Sequence, residues 1–167
     1  NVNPDFDNCR KIIKFCNNKI IDSVIAIGGG SVLDLAKVAI AYLCVNKSDI
    51  YELISFKGEF NKKLTSIFLP TTHGSGSEVT MWGTVWNINE GKKYSIENSN
   101  LYPSIAILDG SLAYTLPLDI SVITIMDSLS HCFEAIWNKN ANNKSTEYAI
   151  KAISIILTNI DGLKKDP

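Results

Sequence analysis

Asp127 and His131 carry the most pointed chemistry in this chain. They lie in the stretch Met126-Asp127-Ser128-Leu129-Ser130-His131-Cys132-Phe133-Glu134-Ala135-Ile136-Trp137. Apolar Met126, Leu129, Phe133, Ile136 and Trp137 recur at three- and four-residue steps, which predicts a helix. Four residues apart, Asp127 and His131 stack on one face of it. A carboxylate oxygen and an imidazole nitrogen set there suit a divalent metal of borderline character, iron or zinc. The same spacing also makes ordinary surface pairs, and this helix alone does not decide between them.

Two further stretches have the composition of ligand sites. Gly28-Gly29-Gly30-Ser31 follows the apolar run Ser23–Ile27 and precedes Val32–Ala39, a pattern of buried parallel strand, glycine turn and helix. Ser31 and Asp34 have capping-box spacing. Glycines let a ligand approach the backbone, and the free N–H groups of a helix N-terminus attract an anion such as a dinucleotide pyrophosphate. The spacing is not GxGxxG, and a tight turn that binds nothing is the alternative. The second stretch, Thr71-Thr72-His73-Gly74-Ser75-Gly76-Ser77-Glu78-Val79-Thr80, is dense in hydroxyls and follows the apolar run Leu64–Leu69 and Pro70. A polar, glycine-bearing loop at the carboxyl end of a parallel strand is where α/β sheets bind ligands. Ser75 and Glu78 again have capping-box spacing.

The elements that must position these residues follow from periodicity. An amphipathic helix is expected over 7–19, capped by Asp5 or Asp7. Residues 81–96 read as a β-hairpin turning at Asn89-Glu90-Gly91-Lys92, with Trp82 and Trp86 as packing residues and Trp82 close enough to the polar loop to serve also as a ligand platform. Ser104–Leu108 is expected to be a further buried strand. Beyond Pro117 the pattern is helical, over roughly 119–137 and 145–160. Strands and helices in alternation, then helices alone, predict an α/β domain with a mostly parallel sheet over 1–116 and the start of an all-α domain over 117–167.

The 167 residues carry a net charge of −1, which argues against a nucleic-acid or membrane partner. The apolar runs are strand-sized and interrupted, so neither a membrane span nor a signal peptide is expected. Cys9, Cys16, Cys44 and Cys132 lack paired spacing and read as thiols of a reducing cytoplasm. A start at Asn1 and a stop at Pro167 after an amphipathic helix suggest a piece of something larger.

Three motifs, taken together, resemble the iron-containing (group III) alcohol dehydrogenases of the dehydroquinate synthase-like fold. Gly28 through Lys37 is similar to the family's GGGSxxDxAK, and Pro70 through Thr80 to its PTTxGTGSEVT, with Ser75 in place of threonine and His73 at the variable position. Met126 through His131 is similar to GMDALTH, with Ile125 where glycine is usual. The resemblance covers essentially the whole chain and implies an incomplete, Rossmann-like sheet domain followed by the first helices of a metal-binding domain. It implies that Gly29, Gly30 and Ser31 bind the pyrophosphate of NAD or NADP. Thr71, Thr72 and Ser75 would line the dinucleotide cleft, and Lys93, ahead of the hairpin's second strand, would contact the cofactor. Asp127 and His131 would be two of four ligands to Fe(II), with zinc as the substitute, and the remaining two histidines would lie beyond position 167. A homodimer and a small alcohol or aldehyde substrate are also implied.

Within the family, Thr84-Val85-Trp86, Gly91 through Ser95 and Trp137 through Asn142 look most like the branch that reduces phosphonoacetaldehyde to 2-hydroxyethylphosphonate. Lys92, Lys93 and His73 would then be candidates for the phosphonate. A generic short-chain aldehyde is the alternative substrate. A zinc enzyme of the glycerol dehydrogenase or dehydroquinate synthase type would share the GGGS turn but not the PTTxGTGSEVT loop. A non-catalytic nucleotide-binding remnant is the third possibility the sequence leaves open.

Overall fold

The computed structural model describes residues 3–45 and 47–164, with the side chains of 163 and 164 left aside. In chain order it contains α1 (Phe6–Cys16), β1 (Ser23–Gly28), α2 (Gly30–Val45), α3 (Ile50–Ser55) and β2 (Thr65–Pro70). There follow β3 (Trp82–Asn87), β4 (Lys92–Glu97), β5 (Ile105–Ala106), α4 (Leu118–Trp137) and α5 (Asn143–Asn159), with short 3-10 turns between. β1, β2 and β5 form a parallel sheet in the order β1-β2-β5, and β3 and β4 form a separate antiparallel hairpin. The α/β class and the helical C-terminal segment are as expected.

The chain divides into two compact units, one of Asn1–Pro70 with Gly76–Asp109 and the other of Thr71–Ser75 with Gly110–Pro167. The first unit holds the main core. Leu33, Val38, Ile40 and Ala41 of α2 pack with Ala26 of β1, Phe68 of β2, Val85 of β3 and Ile96 of β4. α1 adds Phe6, Cys9 and Ile13, and α3, which the sequence pattern did not reveal, adds Ile50, Leu53 and Ile54. Phe6 also packs edge-on against Tyr51 at 5.1 Å between ring centres. The second unit is built on α4 and α5, which pack against each other.

Several boundaries shift for identifiable reasons. α1 starts where Asp5 caps Asn8 N–H at 2.7 Å, and it ends at Cys16 because Asn18 turns left-handed at φ 59°. α5 begins two residues early because Asn142 caps Lys144 and Ser145, and Ser145 returns the bond to the Asn142 N–H. The helix start at the first loop differs from the capping box expected there. Ser31 lies inside α2, which starts at Gly30, and the Asp34 carboxylate is committed elsewhere. The 3-10 turn Ser77–Val79 is entered through Gly76, which lies in the left-handed region at φ 61°.

Of the three strands expected to be buried, β2 keeps Ser66 and Phe68 buried, while β1 and β5 are largely accessible. In β1 only Ala26 is buried, and Ile27 is 57% exposed. β5 is two residues long, with Ile105 49% exposed. Helix packing covers one face of this sheet, while Ile25, Ile27, Ile105 and Ile107 lie on the accessible side. In the hairpin, Gly83, Val85 and Asn87 are buried, so the alternation turns Trp82 to the exposed side, 45% accessible. Its expected packing role is therefore slight.

Candidate functional site

In the first unit, β1 and β2 run parallel in register from Ser23↔Thr65 to Gly28↔Pro70, so both strands end at one level. The turn after β1 is tight. Gly28 has φ +158°, and a Cβ there would come within 2.7 Å of the Val32 side chain. The Gly29 carbonyl accepts the N–H groups of Val32 and Leu33 at 2.9 and 3.2 Å, which closes the first turn of α2. Gly29, Gly30 and Ser31 are half-buried at this helix start. A helix leaves its first N–H groups without intrahelical acceptors and carries partial positive charge there. A 16-residue helix entered through such a turn suits a pyrophosphate.

Behind the turn lies a polar network that the sequence did not disclose. Lys37 is completely buried, and its Nζ donates to Ser77 Oγ at 2.9 Å, Thr80 Oγ1 at 3.0 Å and the Trp82 carbonyl at 2.6 Å. Ser77 Oγ donates in turn to Asp34 Oδ1 at 2.6 Å, and Asp34 Oδ2 accepts the Thr84 N–H at 2.9 Å. All three ammonium protons therefore have acceptors, as a buried cation requires. Burial pushes the Lys37 ammonium down to about 8, partly opposed by the carboxylates of Asp34 and Glu78. Two signals were available: a lysine inside the apolar run Ala36-Lys37-Val38-Ala39-Ile40 of α2, and the fixed Asp and Lys positions of the stretch Gly28 through Lys37.

Lys93 is exposed and lies within β4, not ahead of it, opposite Trp86 across the hairpin. Lys92 is also exposed and approaches Glu90 at 3.7 Å. Glu90 already accepts the hydroxyls of Tyr51 at 2.6 Å and Tyr94 at 2.9 Å. The Tyr51 bond, followed by that of Tyr94, draws the Glu90 carboxyl below its ordinary range.

The second unit contains Thr71, Thr72, His73, Gly74 and Ser75. Thr71 and Thr72 are half-buried, and His73 and Ser75 are exposed. Gly74 packs against α4 so closely that a Cβ would lie 2.6 Å from the Thr124 carbonyl oxygen. His73 borders an apolar cavity of 300 Å³ that Ile125, Ser128, Ile155 and Ile156 also line. His73 and the two lysines Lys92 and Lys93 belong to different units, so neither unit by itself assembles the three cationic candidates.

Asp127 and His131 lie on one face of α4, His131 Nε2 3.8 Å from Asp127 Oδ1, each about half exposed. An open oxygen–nitrogen donor pair of this kind fits iron or zinc. Among the described residues no third His, Cys, Asp or Glu joins them. The donor set fits two ligand positions of a metal centre.

Residues 1–110 match the family model described as iron-containing alcohol dehydrogenase. The chain is 36% identical over 135 residues to the probable alcohol dehydrogenase EutG of Salmonella typhimurium, covering 81% of this chain and 34% of that protein. It is 34% identical over 160 residues to long-chain-alcohol dehydrogenase 1 of Geobacillus thermodenitrificans, covering 92% and 39% respectively. It thus spans between a third and two fifths of these curated relatives. Among solved structures, NADH-dependent butanol dehydrogenase A of Thermotoga maritima superposes with a TM-score of 0.87 at 26% identity, over 100% of this chain and 42% of that one. A sulfoacetaldehyde reductase of Bifidobacterium kashiwanohense in complex with NAD+ gives 0.73 at 35% identity, over 83% and 37%.

Proposed function

Since the chain belongs to the iron-containing alcohol dehydrogenase family, we propose that it forms part of an oxidoreductase transferring a hydride between NAD or NADP and a small alcohol or aldehyde. The observation that carries this proposal is the strand, glycine turn and helix of Ser23–Val45, whose helix start suits a pyrophosphate.

Each set of residues then has a task. The N–H groups around Gly29, Gly30 and Ser31 hold the pyrophosphate. Thr71, Thr72 and Ser75 offer hydroxyls to the dinucleotide, and Lys93 offers a cation from the hairpin. Asp127 and His131 hold Fe(II), or zinc in its place. When bound, the metal supplies Lewis-acid polarisation of the substrate oxygen, and the nicotinamide supplies the hydride acceptor or donor. No nucleophilic side chain is required, so the protein contributes binding and orientation.

For substrate we favour phosphonoacetaldehyde, reduced to 2-hydroxyethylphosphonate. Likeness to a reductase of sulfoacetaldehyde supports this choice, because both are short aldehydes bearing a tetrahedral anion. Lys92, Lys93 and His73 are the candidate anion partners. A generic short-chain aldehyde is the competing substrate, supported by the named alcohol dehydrogenase relatives. We place the enzyme in the cytoplasm as a homodimer. The buried thiols of Cys9, Cys16 and Cys44 are in keeping with a reducing compartment. No helix of the described residues is long and apolar enough to cross a membrane.

The test is NADH and NADPH oxidation by the intact enzyme loaded with Fe(II), comparing phosphonoacetaldehyde with lactaldehyde and butyraldehyde. A strong preference for the phosphonate supports the anionic substrate. Equal turnover leaves a generic aldehyde reductase. Absence of turnover with all three, with iron present, counts against the dehydrogenase and favours a non-catalytic nucleotide-binding protein.

A further inference from the structure

We propose that Lys37 is a positioning residue for dinucleotide binding, its ammonium fixing residues 77–82 as a wall beside the helix start that receives the pyrophosphate. The proposal rests on the dinucleotide site put forward above and adds a residue remote from the cofactor itself.

The geometry is that of a clamp. Gly30, Asp34 and Lys37 follow one another at four- and three-residue steps, so they share one face of α2. What Asp34 and Lys37 grip therefore lies on the same side of the helix as its first turn. They grip the backbone of β3 at two points, Lys37 the carbonyl of Trp82 and Asp34 the N–H of Thr84. Among the described residues β3 is paired with β4 along one edge, and its other edge carries a single isolated bridge between Trp86 and Asp5. On its other edge these two side chains satisfy groups that a neighbouring strand would otherwise satisfy. The Pro4 carbonyl takes the next N–H along, that of Trp86, at 2.9 Å.

Ser77 and Thr80 extend the grip to the segment that leads into β3. Ser77 Oγ accepts from Lys37 and donates to Asp34, so cation and carboxylate are joined through one hydroxyl. Each member orients the next, and loss of one leaves buried polar groups unpaired. Lys37 lies about 10 Å along the axis from Gly30, seven residues at 1.5 Å each, too far to be a phosphate ligand if it stays in this network. Its effect on a cofactor must pass through the wall it holds. A completely buried cation is a costly way merely to pack a helix, since an apolar side chain of similar volume avoids the desolvation.

The experiment titrates NADH and, separately, ADP-ribose into the intact enzyme and into its Lys37→Met, Ser77→Ala and Thr80→Val variants, with thermal melting recorded alongside. Binding is followed by NADH fluorescence and by calorimetry. The expected result is a Kd raised about tenfold or more for Lys37→Met, and by smaller factors for the two hydroxyl variants, in the folded protein. A network that only supports the fold would lower the melting temperatures and leave Kd unchanged in the folded fraction. The hydroxyl variants keep the test decisive if Lys37→Met does not fold. Wild-type-like Kd in the folded variants overturns the inference and leaves the dinucleotide site standing. Failure of the wild-type enzyme to bind either probe overturns the site itself, and the inference with it.

Discussion

Gly74 sits directly against the backbone of Thr124: a Cβ on Gly74 would lie 2.6 Å from the Thr124 carbonyl oxygen and 2.9 Å from its Cβ. The loop Thr71–Ser75 is thereby seated on α4 one turn before Asp127. Neither neighbour is the far end of a flexible side chain, so neither can swing away. Gly74→Ala is expected to destabilise the protein by about 1–3 kcal/mol, the usual cost of forced overpacking. Thr124→Ala retains both the carbonyl and the Cβ, and should not rescue it. Urea melts of the single and double variants measure both effects, and a neutral Gly74→Ala would show that the loop can lift off the helix without cost.

Lys37 should leave its mark on the pH dependence of stability. Its folded-state value lies near 8, below the ordinary 10.5. Between these limits the unfolded chain holds the proton and the folded chain has released it. Unfolding free energy attributable to Lys37 therefore rises with pH in that window, by up to about 1.4 kcal/mol per pH unit, and is flat below it. The thiol of Cys9 acts oppositely above about pH 9, because burial pushes it up to about 12 and the folded state retains its proton. The Lys37 part is read as the difference between wild type and Lys37→Met, followed by denaturant melts from pH 7 to 10. Parallel curves would mean that the ammonium is not perturbed by burial.

Thiol labelling should separate the four cysteines. Cys9, Cys16 and Cys44 are buried and Cys132 is partly exposed. With a thiol reagent at pH 8, one residue is expected to react quickly, and peptide mapping should find it to be Cys132. The other three should require unfolding, since burial shields their sulfurs from the reagent. Fast reaction of Cys9 in the native protein would contradict the packing of α1 against α2.

Asp127 and His131 alone should hold metal poorly. Tight centres use three or four protein ligands, and among the described residues these two have no third donor beside them. The 167-residue chain, purified after Fe(II) loading and desalting, is expected to retain well under one iron per chain and to show no aldehyde reduction. Stoichiometric iron measured by elemental analysis would overturn this. In the intact enzyme, Asp127→Asn and His131→Ala should each lower iron content without large changes in NADH affinity.

Much of the local structure was legible in the sequence because it depends on local causes. The period of apolar residues in Met126–Trp137 was enough to place Asp127 and His131 on one helical face, since 3.6 residues per turn leave little choice. Gly28 through Ser31 marked the turn after β1, because only glycine avoids a Cβ where Val32 closes in. The hairpin of β3 and β4 was visible from its turn residues and from alternation. Capping was less legible. Ser31 and Asp34 have the spacing of a capping box, but the competing bonds from Ser77 and Thr84 are supplied by residues 43 and 50 positions away.

Tertiary structure alone decided what lies between distant segments. No local pattern indicates that Lys37 meets Ser77, Thr80 and Trp82, or that Gly74 needs to be small because of Thr124. These contacts depend on how helices and loops pack, and packing is a sum over partners far apart in the chain. The exposure of Ile27 and Ile105 shows the converse limit, because an apolar run specifies affinity for a core without specifying which face finds one. Residue types and spacing indicated which chemistry to look for, a glycine turn suited to phosphate and an Asp–His pair suited to a divalent metal. The fold determined which side chains surround these positions, because a buried ammonium or a missing Cβ acquires its purpose only from what stands opposite it.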